Sequence, residues 1–116
     1  YRLAPRAETP AEYAAIQRDL GFAALGLGDT LQARVSLREA AAWAPTRETQ
    51  AALQLLRILR TVPEEKARAR ARARAEEALG WPLDPSPQAL QLLDRMRMAG
   101  ESCLARGQAA GWRRPE

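Results

Sequence analysis

The chain has 116 residues, of which 47% are hydrophobic but only 5% aromatic, and its net charge is +4. This length fits one domain, and the 25 alanines indicate a core of closely packed helices rather than of large rings. There is no histidine and only one cysteine, Cys103. The commonest general base is therefore missing, and neither an internal disulfide nor a zinc site can form, so we expect no enzyme, metal or cofactor. The lone thiol and the lack of a long apolar run favour a cytoplasmic domain.

Three prolines recur at intervals of 40 residues: Pro5, Pro45 and Pro85. Each is followed by turn and cap residues and then by a long stretch with apolar periodicity. A fixed period of a few tens of residues is typical of solenoids, in which each unit buries its face on its neighbours. The chain begins at Tyr1 in what reads as the end of a helix, so we expect a single domain, 1–116, cut from a longer protein.

The first two helices are delimited by cap and turn residues. Thr9 is a predicted N-cap of a first helix over 10–27, and Gly28 and Asp29 end that helix and cap the next, which runs to Trp43. The predicted inward faces are Tyr13, Ile16, Leu20, Ala23 and Ala24 in the first helix, and Ala33, Leu37 and Ala40 in the second.

Three more helices follow. Thr46 is the predicted N-cap of a third helix, and Thr61 that of a fourth helix that ends before Gly80. Ser86 is predicted to open a fifth helix that ends near Ala105. We expect Cys103 to lie in the core, and residues 107–116 to form a poorly packed tail anchored only by Trp112.

Residues 67–75 alternate alanine and arginine. Because both residue types favour helices over strands, the period of two does not predict a strand here. On a helix the arginines divide into two ridges, and the stretch 57–74 carries seven basic and two acidic residues, a net charge of +5. The ridges are Arg68 with Arg72, and Arg70 with Arg74.

The residues 20–29, Ala33, Leu37, Ala40 and Pro45 together resemble the tetratricopeptide repeat (TPR). The resemblance lies in a Leu-Gly pair, a Gly-Asp turn, small residues in the second helix and a closing proline. It implies an all-α fold in which antiparallel helical hairpins stack as a short right-handed solenoid of about five helices. The predicted units are 9–45, 46–85 and 86–106.

The resemblance also implies a function. Proteins with TPR repeats are interaction scaffolds whose first helices line a concave groove for a partner segment. A groove rich in arginine would favour an acidic segment of another protein, although solvated surface arginines are the simpler interpretation. The groove positions implied are Arg18, Phe22, Leu25, Arg60 (or Arg57), Arg97, Glu101 and Leu104.

Other functions stay open from the sequence. Residues 76–80 and 83–90 resemble, more weakly, the closing segment of bacterial transcriptional activator domains, which would make the chain a regulatory domain of a transcription regulator. Nucleic-acid binding through the helix that carries Arg68 to Arg74 is a further alternative, though acidic residues bracket these arginines and no aromatic side chains interleave with them. Self-association through exposed solenoid ends is another, with Tyr1, Trp43, Trp81 and Trp112 as the candidate contacts.

Overall fold

The computed structural model describes residues 9–83 and 86–115, and within them the chain forms five α-helices and no strand, which confirms the all-α prediction. Tyr1, Pro5 and Pro85, on which part of the sequence interpretation depends, lie outside these ranges. The helices are α1 (Pro10–Gly26), α2 (Thr30–Trp43), α3 (Arg47–Leu59), α4 (Glu64–Leu79) and α5 (Pro87–Ala109).

Four of the predicted N-caps are confirmed. In each, a side-chain oxygen accepts a hydrogen bond from the backbone N–H three residues further on, which satisfies one of the unpaired donors at a helix start. The bonds run from Glu12 to Thr9 (3.2 Å), from Gln32 to Asp29 (3.0 Å), from Thr49 to Thr46 (3.1 Å) and from Ala89 to Ser86 (3.2 Å).

The predicted cap of the fourth helix is wrong. The residue before α4 is Pro63, and it makes no side-chain cap bond. The hydroxyl of Thr61 instead donates to the backbone carbonyl of Ile58 at 2.8 Å. Thr61 therefore adds a hydrogen bond to a carbonyl at the end of α3 that already accepts from the backbone N–H of Thr61, and its hydroxyl can make this local bond as readily as it can cap a helix start.

Helix α1 lies at the centre of the fold and packs against α2, α4 and α5. All six residues from 20 to 25 are buried, and Leu20, Phe22 and Leu25 are each 1% exposed. Four of the five predicted inward residues are buried and the fifth, Ile16, is half-buried, and neighbours cover further sides of the helix as well. Residues 20–25 are apolar on all sides of the helix, as is typical of a helical segment in a protein core.

The α1–α2 hairpin has the predicted turn. Only residues 27–29 join the two helices, and Gly28 adopts a positive φ of 86° that a residue with a side chain would adopt only under strain. Gly21 allows close packing within the hairpin, since a Cβ there would lie 2.6 Å from Cγ of Leu37. These positions carried the TPR resemblance, and the structure gives each a physical role.

The last helix extends further than predicted. Helix α5 continues to Ala109, and the backbone N–H of Trp112 then donates to the carbonyl of Gly107 at 2.8 Å. The indole of Trp112 covers Gly107 and lies 6.0 Å from the ring of Trp43, measured between centroids. The end of the helix is predicted too early because Gly107 is a contact surface within the helix and does not end it. Residues 108–111 and 113–115 are exposed, in agreement with the prediction of a poorly packed tail. The role of Trp112 as an anchor is confirmed.

The contacts of α1 extend across all three predicted units. Gly100 of α5 packs beside Gln17 of α1, and α4 packs against α1, whereas α3 packs mainly on α2 and touches α4 at few positions. In a linear solenoid each unit contacts only its neighbours. The stacked solenoid arrangement therefore stays a prediction.

Candidate functional site: a basic cleft

A cleft of about 700 Å³ opens where the end of α1 and the α1–α2 turn face the end of α3 and the first half of α4. Helices α3 and α4, which residues 60–63 join at this end, have few contacts with each other. Each of the four helices contributes residues to its walls. Concave surfaces of this size are where proteins usually bind ligands or peptide segments.

The floor of the cleft is apolar. Leucines of α1 and α3 lie at its base, and α4 contributes alanines whose small side chains leave the space open. No aromatic residue lines it. The floor consists of Leu25, Leu27, Leu56, Leu59, Ala67, Ala69 and Ala71.

The rim of the cleft is basic. Four arginines, Arg34, Arg60, Arg68 and Arg72, line it together with one acidic residue, Glu64. The formal charge of the lining is therefore +3, and the four guanidinium groups come from three different helices or helix ends. Guanidinium groups bind carboxylates with paired, directional hydrogen bonds, so the rim has the chemistry to bind acidic groups.

The four arginines differ in their ion pairs. Arg68 pairs with Glu64 at 2.5 Å, and Arg72 pairs with Glu76 at 3.7 Å. Arg34 and Arg60 form no ion pair with any residue in 9–83 or 86–115. Two arginines of the rim are thus free to bind an external anion without breaking an internal pair.

The predicted groove residues are not brought together at one site. Only Leu25 and Arg60 line the cleft, and Leu25 is 1% exposed. Arg18 pairs with Asp19 at 3.6 Å and with Glu48 at 3.9 Å, away from the cleft.

Four of the predicted groove positions need correction. Phe22, like Leu25, is buried in the core, so neither presents a free side chain to a partner, because α1 is covered on several sides. Arg97 and Glu101 are exposed on α5, which does not line the cleft, and Arg97 pairs with Asp94 at 2.8 Å.

The basic patch divides as predicted. The ridge formed by Arg68 and Arg72 faces the cleft, whereas Arg70 and Arg74 do not line it. Arg74 pairs with Glu77 at 3.6 Å. The patch is therefore not one continuous binding surface.

Sequence reasoning missed Arg34. It lies on the second helix, directly after the inward-facing Ala33, and the TPR resemblance directed attention to first helices only. The signal that could have indicated it is its position one turn after Thr30, near the start of α2, which follows the Gly28 turn and packs back against α1.

Three of the four aromatic residues proposed for self-association are used within the fold, and the fourth, Tyr1, lies outside the described residues. Trp43 is 9% exposed and stacks edge-on against Tyr13, with ring centroids 5.4 Å apart, and Trp112 packs on its other side. Trp81 is partly buried against the central core. Trp43 is therefore not an exposed solenoid end.

Cys103 is a core residue, as predicted. It is fully buried beside Tyr13 and Trp43, and burial raises the pKa of its thiol. A raised pKa keeps the thiol protonated and unreactive at neutral pH.

Within residues 9–83 and 86–115, no group of three or more metal-ligating side chains occurs. No helix in these ranges is long and apolar enough to cross a bilayer. Comparison with known proteins found no matching family model, no matching curated protein and no matching solved structure. The site must therefore be interpreted from its own geometry.

Proposed function

We propose that the chain is a protein–protein interaction module whose basic cleft binds an acidic segment of a partner protein. The observation that carries this proposal is the combination of an apolar floor with two arginines on the rim, Arg34 and Arg60, that have no ion pair in the described residues. An acidic segment with an apolar side chain between its carboxylates would match both features.

The proposal includes a TPR-like arrangement of helical hairpins. It is supported by the α1–α2 hairpin, in which the close Gly21–Leu37 contact and the Gly28 turn occur where the TPR resemblance requires them. The cleft, however, uses the start of α2 and the first half of α4 as well as first helices. The proposed binding site thus lies beside the groove that the resemblance implies.

Nucleic acid is the rival ligand. The exposed arginines of α4 favour it, but only one ridge faces the cleft, and no aromatic residue there can stack on a base. The same cleft would bind a phosphate backbone less selectively than a segment that also buries an apolar side chain.

A titration followed by fluorescence anisotropy tests the proposal. The probe is a short labelled peptide in which single leucines separate pairs of glutamates, and a lysine analogue and a single-stranded oligonucleotide serve as comparison probes. The test variant is R34A/R60A. Its matched control is R38A/R57A, which removes the same charge from exposed positions of α2 and α3 outside the cleft.

The proposal predicts that R34A/R60A weakens binding of the acidic peptide roughly ten- to hundredfold, as expected for two charge-assisted contacts, while R38A/R57A changes it little. Equal losses in both variants would indicate diffuse attraction and contradict a specific site. Tighter binding of the oligonucleotide, lost in R70A/R74A, would favour the nucleic-acid function instead.

A further inference from the structure

Glu64 lies on the rim of the cleft and forms an ion pair with Arg68, another rim residue, one helical turn away. Both side chains are largely exposed, at 76% and 72%. The pair therefore lies at the entrance of the cleft, where an incoming segment would meet it first.

The carboxylate of Glu64 has the chemistry that the proposed ligand would present. It occupies Arg68 through a hydrogen bond from Nη2 to Oε1. It also places the only negative charge of the cleft lining among four arginines. Because the Arg68 guanidinium has five N–H donors and Glu64 accepts from Nη2, an acidic segment must either share Arg68 with this carboxylate or replace it.

We propose that Glu64 is an intrachain competitor that limits the affinity of the cleft for acidic segments; this inference rests on the function proposed above. In the free protein Glu64 holds Arg68. When an acidic segment binds, its carboxylate replaces that of Glu64 on Arg68, and the Glu64 side chain turns to solvent. Arg34 and Arg60, which have no competitor in the described residues, provide the initial attraction.

The replacement of Glu64 by a ligand carboxylate on Arg68 costs little free energy. An exposed ion pair at this helical spacing is weak, so a ligand carboxylate held by other contacts can replace it. Glu64 thereby sets a threshold, since single stray carboxylates do not gain enough to displace it but a segment that also engages Arg34 and Arg60 does.

The test uses Glu64→Gln with the acidic leucine peptide described above. Removing the competitor and its repulsion of the ligand should tighten binding roughly three- to fivefold. The matched control is Glu65→Gln, which removes the same charge from the same helical turn but from a residue that does not line the cleft. It should change binding by less than about twofold.

A double-mutant cycle identifies the arginine involved. If Arg68 is released in the Glu64→Gln variant, then Arg68→Ala should cost more binding in that variant than in the wild-type protein. Equal costs would overturn the claim that Glu64 competes for Arg68.

The failure of this inference and that of the proposed function are distinguishable. If the wild-type protein binds the peptide through Arg34 and Arg60 but Glu64→Gln binds no tighter than Glu65→Gln, the competitor role is wrong and the interaction site stands. If the wild-type protein does not bind the peptide at all, the proposed function fails, and this inference fails with it.

Discussion

Gly21 of α1 lies directly against Leu37 of α2, so closely that a methyl group on Gly21 would come within 2.6 Å of Cγ and 2.8 Å of Cδ2 of the leucine. Leu37 is fully buried and cannot move aside. We therefore expect Gly21→Ala to lower the free energy of unfolding by about 1–2 kcal/mol, as overpacking outweighs the gain in helix propensity. Urea denaturation measures this change.

Gly100→Ala is the matched control for that substitution. Gly100 also lies within a helix, but an added Cβ would meet the end of the buried Gln17 side chain, 2.8 Å away at Nε2. The amide can shift, although the shift would weaken the hydrogen bond that Nε2 donates to the Tyr13 hydroxyl. We expect a smaller loss than for Gly21→Ala, below about 1 kcal/mol. If Gly100→Ala lowered the free energy of unfolding as much as Gly21→Ala, the contact between Gly21 and Leu37 would not be tighter than that between Gly100 and Gln17.

Trp112 fixes the C-terminal segment to the core through Trp43 and Gly107. Removing its ring leaves both surfaces exposed, so Trp112→Ala should lower the free energy of unfolding by about 2 kcal/mol. Trp112→Phe, which keeps an aromatic ring at the site, should lose about half as much or less. Thermal unfolding followed by circular dichroism compares the two variants, and an unchanged Tm in Trp112→Ala would show that this segment does not stabilise the fold.

Tyr13 makes the fold sensitive to alkaline pH. Burial, reinforced by the nearby carboxylate of Glu39, raises the pKa of Tyr13 well above its ordinary value. Above about pH 10 the unfolded chain loses this proton and the folded chain keeps it, so stability is complete below that pH and falls as pH rises. The slope is about 1.4 kcal/mol per pH unit for this group.

Tyr13→Phe removes the pH-dependent contribution of Tyr13 to the free energy of unfolding, so this variant is the comparison. Between about pH 10 and pH 12 its free energy of unfolding should fall less steeply than that of the wild-type protein, although it loses the hydrogen bond that Tyr13 accepts from Gln17. Parallel slopes in the two proteins would show that Tyr13 ionises equally in the folded and unfolded chains.

The alanines of α4 keep the cleft open. Ala67→Leu would fill the floor beside Leu56 and Leu59, so we expect the acidic leucine peptide to bind roughly tenfold more weakly or not at all. Ala73→Leu adds the same volume at an exposed position of α4 outside the cleft and should leave binding unchanged. Circular dichroism confirms that both variants fold. Normal binding by Ala67→Leu would place the ligand elsewhere.

The local structure followed from the sequence because caps and turns depend on neighbouring residues. The oxygens of Thr9, Asp29, Thr46 and Ser86 could be predicted as N-caps from their place before an apolar-periodic stretch. The same rule wrongly predicts Thr61 as an N-cap. A hydroxyl between two helices can donate to a carbonyl at the end of one or accept from an N–H at the start of the next, and sequence spacing does not decide between them.

The site could be predicted only in part. The sequence predicts Arg60 as a groove residue and Arg68 with Arg72 as one ridge of a basic patch, but no local pattern places them around one cleft with Arg34. That arrangement depends on α4 packing against α1 and away from α3, a contact between distant parts of the chain. The burial of Phe22 has the same origin, because a residue on a helix surface becomes core only when a later element covers it.

The most direct test of the binding site is a two-dimensional amide NMR titration with the acidic leucine peptide. We expect the amide chemical-shift changes to concentrate at the cleft, around Gly28 and Ala67 and at the backbone of Arg34 and Arg60. We expect these changes to be lost in R34A/R60A. Shifts concentrated instead on α5 around Arg97 and Glu101, or spread evenly over all exposed arginines, would contradict it.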